Sequence, residues 1–271
     1  MNILKIQKVI YGIFLALLML CLNGCSDSSS VKTEPDVNRP NILLIVADDL
    51  GYTDIEPFGG EINTPNINSL ADEGLTLTNF YAASTCSPTR TMLLTGTDHH
   101  LVGMGTMNNR WDVNQLGKRG YETYLNEDGV TVASLLKDSG YHTYMTGKWH
   151  LGYKPQFQPQ SRGFEKSFVL LDGAASHFNN PFGVVRTEKP QYVENGIAVE
   201  LPENFYSSNN YTDKMIGYIE GGRDDNKPFF GYLAYTAPHW PLQVPDEDLD
   251  YYKGQYDLGY EHIREARIEK L

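Results

Sequence analysis

Pro40 to Gly51, "PNILLIVADDLG", decides the fold. Ile42 to Ala47 is an unbroken apolar run of strand length, which suits a strand buried on both faces of a parallel sheet. It stops abruptly at Asp48-Asp49. Two more apolar strands are expected downstream, each behind a helical pattern. "VTVASLLKDSG" (Val130 to Gly140) reads as helix and leads into "YHTYMTGKWHLG". "YTDKMIGYIEGG" puts Met215, Ile216 and Ile219 on one helical face, and "KPFFGYLAYTAPHWP" then supplies a strand over Phe229 to Tyr235. Alternating strands and helices argue an α/β fold with a mostly parallel sheet.

All three strands end in polar chemistry: Asp48 and Asp49 after the first, Lys148 and His150 after the second, His239 after the third. Open α/β sheets bind ligands outside the carboxyl ends of their strands. Two acids and three potential cations there define a candidate site. Lys148 and His150 are two residues apart, so in an extended segment both side chains point the same way.

A fourth stretch, Thr85 to Gly96, "TCSPTRTMLLTG", holds Cys86, the only cysteine after residue 25. Pro88 suits the first turn of a helix, where its missing N–H costs nothing. The helix is expected to run to Gly96, with Cys86 at its N-terminus, where free N–H groups favour negative charge. Arg90 is four residues on and shares that face. A nucleophile at position 86 would sit in an anion-friendly place with a guanidinium beside it. Counting alone cannot choose between a buried core cysteine, a reactive group and a modified residue, and the core reading is the commoner one.

"TPNINSLADEGL" reads as another helix, with Thr64 as N-cap, Pro65 at the first helical position and Gly74 as stop. Residues 155 to 210 are rich in Pro, Asn and Gly and read as long loops over the sheet. "YEHIREARIEKL" (Tyr260 to Leu271) reads as a helix with neither cap nor breaker before the end, so the chain is expected to be part of something longer.

The 271 residues carry 34 acids against 22 bases, a net charge of -12. That balance argues against nucleic acid as the main partner, since phosphate binding needs a basic face. An anionic small substrate remains compatible where a few bases converge. At the N-terminus, Lys5 and Lys8 precede an apolar run from Val9 to Leu22. It is shorter than the ~20 residues of a membrane span, and fits an export signal. Residues 1–24 are read as that signal and 25–39, polar and rich in Ser, Asp and Glu, as a flexible tether. Leu22 and Gly24 before Cys25 resemble the lipobox of bacterial lipoproteins, with Asn23 where a small residue is usual. The resemblance implies cleavage before Cys25, lipid on its sulfur, and a protein anchored at a bacterial membrane, periplasmic or at the cell surface. Cys86 would then be the one thiol left in an exported chain, with no disulfide partner.

"CSPTR" followed by "LLTG" resembles the sulfatase signature, with Thr89 where Ser or Ala is usual. "NILLIVADDLG", "GKWHLG" and "APHWP" match the rest of that pattern in order, over about Pro40 to His262, and "TDHH" (Thr97 to His100) and "PHWPLQ" bring it nearest to bacterial arylsulfatases. The resemblance implies an alkaline-phosphatase-like α/β sandwich, with residues 40–271 as an incomplete N-terminal catalytic domain. It implies oxidation of Cys86 to formylglycine by a formylglycine-generating or sulfatase-maturing enzyme. One hydroxyl of the aldehyde hydrate then attacks sulfur, and the other lets the sulfated adduct collapse. It implies Ca²⁺ held by Asp48, Asp49 and the modified Cys86. Arg90, Lys148 and His150 become residues that bind sulfate and assist the hydrate, and His239 lies near the leaving oxygen. Aryl sulfates, other small sulfate esters and sulfated glycans are the implied substrates. His99 and His100 are expected to be structural or pocket-lining, Trp149 and Trp240 to pack, and Trp111 to pack or line a substrate pocket.

The family's later Asp-Asn metal pair, a second sulfate-contacting lysine and a smaller C-terminal domain have no counterpart in these 271 residues. The chain alone is therefore expected to be poorly folded or inactive. Two other readings stand beside the sulfatase: a phosphate or phosphonate monoesterase of the same superfamily, and a truncated lipoprotein that binds sulfated ligands without turnover.

Overall fold

The computed structural model describes residues 39–108, 110–179 and 189–270. The expected signal, the expected lipid attachment at Cys25 and all but the last residue of the expected tether lie outside the described residues. The chain divides into Met1–Arg39 and Pro40–Leu271, and the second unit carries the elements below. No helix among the described residues is long and apolar enough to cross a membrane.

Six strands form one sheet: β1 (Ile42–Asp48), β2 (His142–Lys148), β3 (Lys166–Leu170), β4 (Tyr192–Glu194), β5 (Ile197–Ala198) and β6 (Phe229–Pro238). Their spatial order is β1-β6-β2-β3-β4-β5. The first four in that order run parallel, while β4 and β5 pair antiparallel at the far edge. The expected mostly parallel sheet is present.

Side chains alternate across the central strands and build two cores. Met145, Val169, Tyr232 and Trp149 pack on one face with Leu94 of α2 (Cys86–Thr95) and Ala133 of α3 (Val132–Asp138). Tyr144, Phe168, Leu170 and Leu233 pack on the other with Tyr211 and Met215 of α4 (Ser207–Gly221). This is a sheet sandwiched between helices. Thr131 caps α3 by accepting a hydrogen bond from the Ser134 N–H.

Several expectations are corrected. β1 is an edge strand: among the described residues it pairs on one side only, with β6. Leu43 and Ile45 are 47% and 50% exposed, while Leu44 and Val46 turn toward the core. An apolar run fixes the strand, not its position in the sheet. Ile216 is also exposed, because α4 buries a narrow stripe centred on Tyr211 and Met215. Residues 155 to 210 are not loops throughout. They hold β3, whose Ser167 to Leu170 are buried, and the β4–β5 hairpin. The helix Pro65–Glu73, written α1, begins after Thr64 as expected, but the Thr64 hydroxyl donates to Glu56 instead of capping the helix.

Two last helices follow β6: α5 (Asp246–Tyr251) and α6 (Tyr260–Lys270). α6 is tied to the segment that leaves the end of β1. Arg267 Nε and Nη2 donate to the two carboxylate oxygens of Glu61 at 2.7 and 2.8 Å, and Nη1 donates to Asp54 at 2.7 Å. The Arg267 hydrogen bonds, with help from the Tyr256 hydroxyl, bring the Glu61 pKa from 4.5 down to about 2. A depressed carboxylate stabilises above its unfolded pKa and loses that contribution as pH falls through the folded one. Protection of α6 amides, measured against their intrinsic exchange rates, should therefore be full above pH 4.5 and fall between 4.5 and about 2. In Arg267→Met exchange should already be fast at neutral pH. High protection in both proteins that does not change with pH would contradict this tether.

Candidate active site

The carboxyl ends of β1, β6 and β2 lie side by side, and the N-terminus of α2 abuts them. The α2 helix is the one read from the sequence. It starts at Cys86, stays helical through Pro88 and stops at Gly96, whose φ of 63° is the left-handed form glycine takes without cost.

Asp48, at the tip of β1, is 4% exposed. Lys148 Nζ donates to its Oδ2 at 2.6 Å, and Arg90 Nη2 reaches its Oδ1 at 3.1 Å. Arg90 Nη1 also donates to the Lys148 carbonyl at 3.0 Å and to the Tyr232 hydroxyl at 3.4 Å. Lys148 is fully buried and Arg90 nearly so. Burial opposes the Arg90 charge, but Tyr232 and Asp48 outweigh it and raise its pKa. These three ionic groups form one buried cluster, two positive and one negative.

The expected pairing of Lys148 with His150 does not occur, because the segment is not extended. His150 has φ 55°, a strained left-handed conformation for a side-chain-bearing residue. Lys148 turns inward to Asp48, while His150 turns to the thiol, its Nδ1 3.3 Å from Cys86 Sγ. Ser87 fastens this bend by donating to the His150 carbonyl at 2.9 Å. Gly173 faces the ring. A Cβ there would lie 2.6 Å from His150 Nε2 and closer still to Cε1. Gly173 is a site residue that sequence reading missed, since nothing in "LDGAAS" points to a ring stacked on it.

His239 approaches from β6. Its Nδ1 lies 2.6 Å from the Trp240 carbonyl, so that nitrogen carries the proton, and Nε2 faces Asp49 Oδ2 at 3.5 Å. A buried histidine absent from the sequence reading holds this turn: His177 Nε2 donates to the His239 carbonyl at 3.0 Å, and its Nδ1 lies 2.8 Å from the Ser207 hydroxyl. Asp49 is 60% exposed with φ 63°.

A cavity of about 210 Å³ opens over Cys86, His150 and His239, and Met107, Arg110, Tyr153 and Trp240 help to wall it. Trp149 packs in the core as expected, whereas Trp240 is 50% exposed and lines this cavity. Trp111 does not line it. His99 and His100 lie outside it: His99 Nδ1 contacts the Met104 carbonyl at 2.8 Å and His100 pairs with Asp98.

The donor chemistry bears on a cation. Asp48 and Asp49 offer hard carboxylate oxygens at one strand end, suited in kind to Ca²⁺ but short of its usual six to eight ligands. Among the described residues, three potential ligand atoms gather within 4.8 Å of one another only at Asp98, His99 and His100.

A thiol at a helix N-terminus, an imidazole against it, a second imidazole lining the same cavity and a buried cationic cluster nearby are thus gathered at the strand ends of an α/β sandwich. Residues 40–269 match the family model described as Sulfatase. The chain is 46% identical over 248 residues to an uncharacterized sulfatase of Schizosaccharomyces pombe, covering 87% of this chain and 44% of that protein. It is 44% identical over 235 residues to an arylsulfatase of Klebsiella aerogenes, covering 86% and 50%. Among solved structures, Ps i-CgsB superposes with TM-score 0.71 at 30% identity over 86% of this chain and 54% of that one. BT4656, solved with its substrate D-glucosamine-2-N,6-O-disulfate, superposes with TM-score 0.62 at 30% identity over 80% and 38%.

The chain belongs to the sulfatase family and has its alkaline-phosphatase-like α/β fold. It spans about half the length of these relatives.

Proposed function

We propose that this chain carries the nucleophile half of an exported, lipid-anchored sulfate-ester hydrolase. Cys86, converted to formylglycine by a maturing enzyme, is its nucleophile, and a ring-bearing sulfate ester, aryl or glycan, is its substrate. The observation that carries this is the contact of Cys86 Sγ with His150 Nδ1 at 3.3 Å inside a cavity that His239 also lines.

Formylglycine supplies a hydroxyl for attack and a second one for release, which a serine or cysteine lacks. Asp48, Asp49 and the modified Cys86 would hold a calcium ion, with Asp48 also kept in place by Lys148 and Arg90, and the ion would supply polarisation of sulfate oxygens. The protein's own groups do the rest. His150 takes or holds a proton at the atom on residue 86. His239, when both ring nitrogens are protonated, gives the Nε2 proton that faces Asp49 to the departing alkoxide, the atom that gains negative charge, while Nδ1–H stays on the Trp240 carbonyl. Arg90 and Lys148 fix Asp48 and leave the cluster with a surplus positive charge beneath the sulfate.

The test is the mass of the Cys86 peptide from protein made in a host with a sulfatase-maturing enzyme. A formylglycine mass is expected. An unmodified thiol, in a host whose other sulfatases are converted, would overturn the reading. In the whole hydrolase, made in the same host, Cys86→Ala should lower sulfate release from 4-nitrophenyl sulfate by at least about 10³-fold. A parallel assay with the aryl phosphate separates the phosphatase alternative.

A further inference from the structure

The cavity over Cys86 has one cation that the proposed sulfate chemistry leaves unused. Arg110 lines it beside Met107, and no carboxylate pairs with its guanidinium among the described residues. In a chain of net charge -12, that is a conspicuous place for an unmatched arginine. The deeper cations differ: Arg90 and Lys148 are spent on Asp48. Two aromatic side chains, Tyr153 and Trp240, also line the cavity.

Size and chemistry narrow the occupant. A cavity of about 150 Å³ holds a benzene, so about 210 Å³, open on one side, is on the scale of a single ring. Aromatic walls suit the flat face of such a ring. A guanidinium at the same cavity offers a planar fork of donors, the geometry that matches a carboxylate or a second sulfate in two parallel hydrogen bonds.

From this we infer that Arg110 selects substrates whose single ring carries, besides the sulfate ester, a second anionic group. The inference rests on the sulfate-ester reading above. Arg110 is exposed, so replacing it should leave the fold intact.

The experiment is titration calorimetry with the unmodified thiol form, which binds without turnover. The ligands are phenyl sulfate, the meta- and para-carboxyphenyl sulfates, and the matching uncharged carboxamides. At least one carboxylate should bind about tenfold more tightly than its carboxamide. Arg110→Gln should erase that preference while leaving phenyl sulfate affinity within about twofold, and Arg110→Lys should restore only part of it. Equal binding of acid and amide, or a preference that survives Arg110→Gln, would overturn the inference and leave the sulfatase reading standing. Failure of every sulfate ester to bind would overturn both.

Discussion

Asp48→Asn should destabilise the fold by about 3–5 kcal/mol, because it leaves two buried cations without their common anion. Lys148 has no exposed surface and Arg90 is 2% exposed, so neither can turn to water. The amide keeps the carboxylate's shape, which excludes a cavity as the cause. For a domain of this size each kcal/mol shifts Tm by about 2–4 °C, so a drop on the order of 10 °C is expected. Asp49→Asn is the control. Its carboxylate is 60% exposed and only 3.5 Å from one imidazole nitrogen, so its stability should stay within about 0.5 kcal/mol of wild type. Thermal unfolding of both variants measures the contrast. Equal Tm values would mean that Asp48 is not what holds Lys148 and Arg90 in place.

Gly173→Ala should leave Tm nearly unchanged and strip the site of function. The new methyl group falls within 2.6 Å of His150 Nε2, and the ring must swing away. His150 Nδ1 then loses its 3.3 Å contact with the atom on residue 86. A misplacement of about 1 Å at a reacting group costs around 10²-fold in rate. In matured protein, sulfate release should fall by about that factor, with KM changed far less than kcat. A crystal structure of the variant with His150 unmoved, or wild-type turnover, would refute the role given to this glycine.

Much of the site was legible because its parts sit at strand ends. The runs before Asp48, Lys148 and His239 predicted strands, and their polar stops predicted one edge of the sheet. Pro88 and Gly96 framed the Cys86 helix correctly. Other features were hidden for physical reasons. An apolar run reads the same in a central strand and at an edge, so the exposure of Leu43 and Ile45 was invisible. "KSFVL" is too short to stand out among Pro, Asn and Gly, and β3 was missed. The period-two rule failed at His150 because that residue turns left-handed, and only the fold shows why it must face Cys86 rather than follow Lys148. His177 acts through a carbonyl 62 residues away, a relation no local pattern records.

The order of the strands also sets a clock. β1 and β6 are neighbours in space, yet their register joins residues as far as 190 apart, Asp48 and Pro238. Closing so long a loop is entropically costly and comes late in folding. α2 lies between the two strands in sequence, and Cys86 emerges roughly 140 residues before β6, on the order of ten seconds at ordinary rates of synthesis. During that interval the thiol has no wall of Trp240 and His239 over it. The proposed maturing enzyme would thus meet an open peptide, and assembly of the sheet afterwards would close over Cys86.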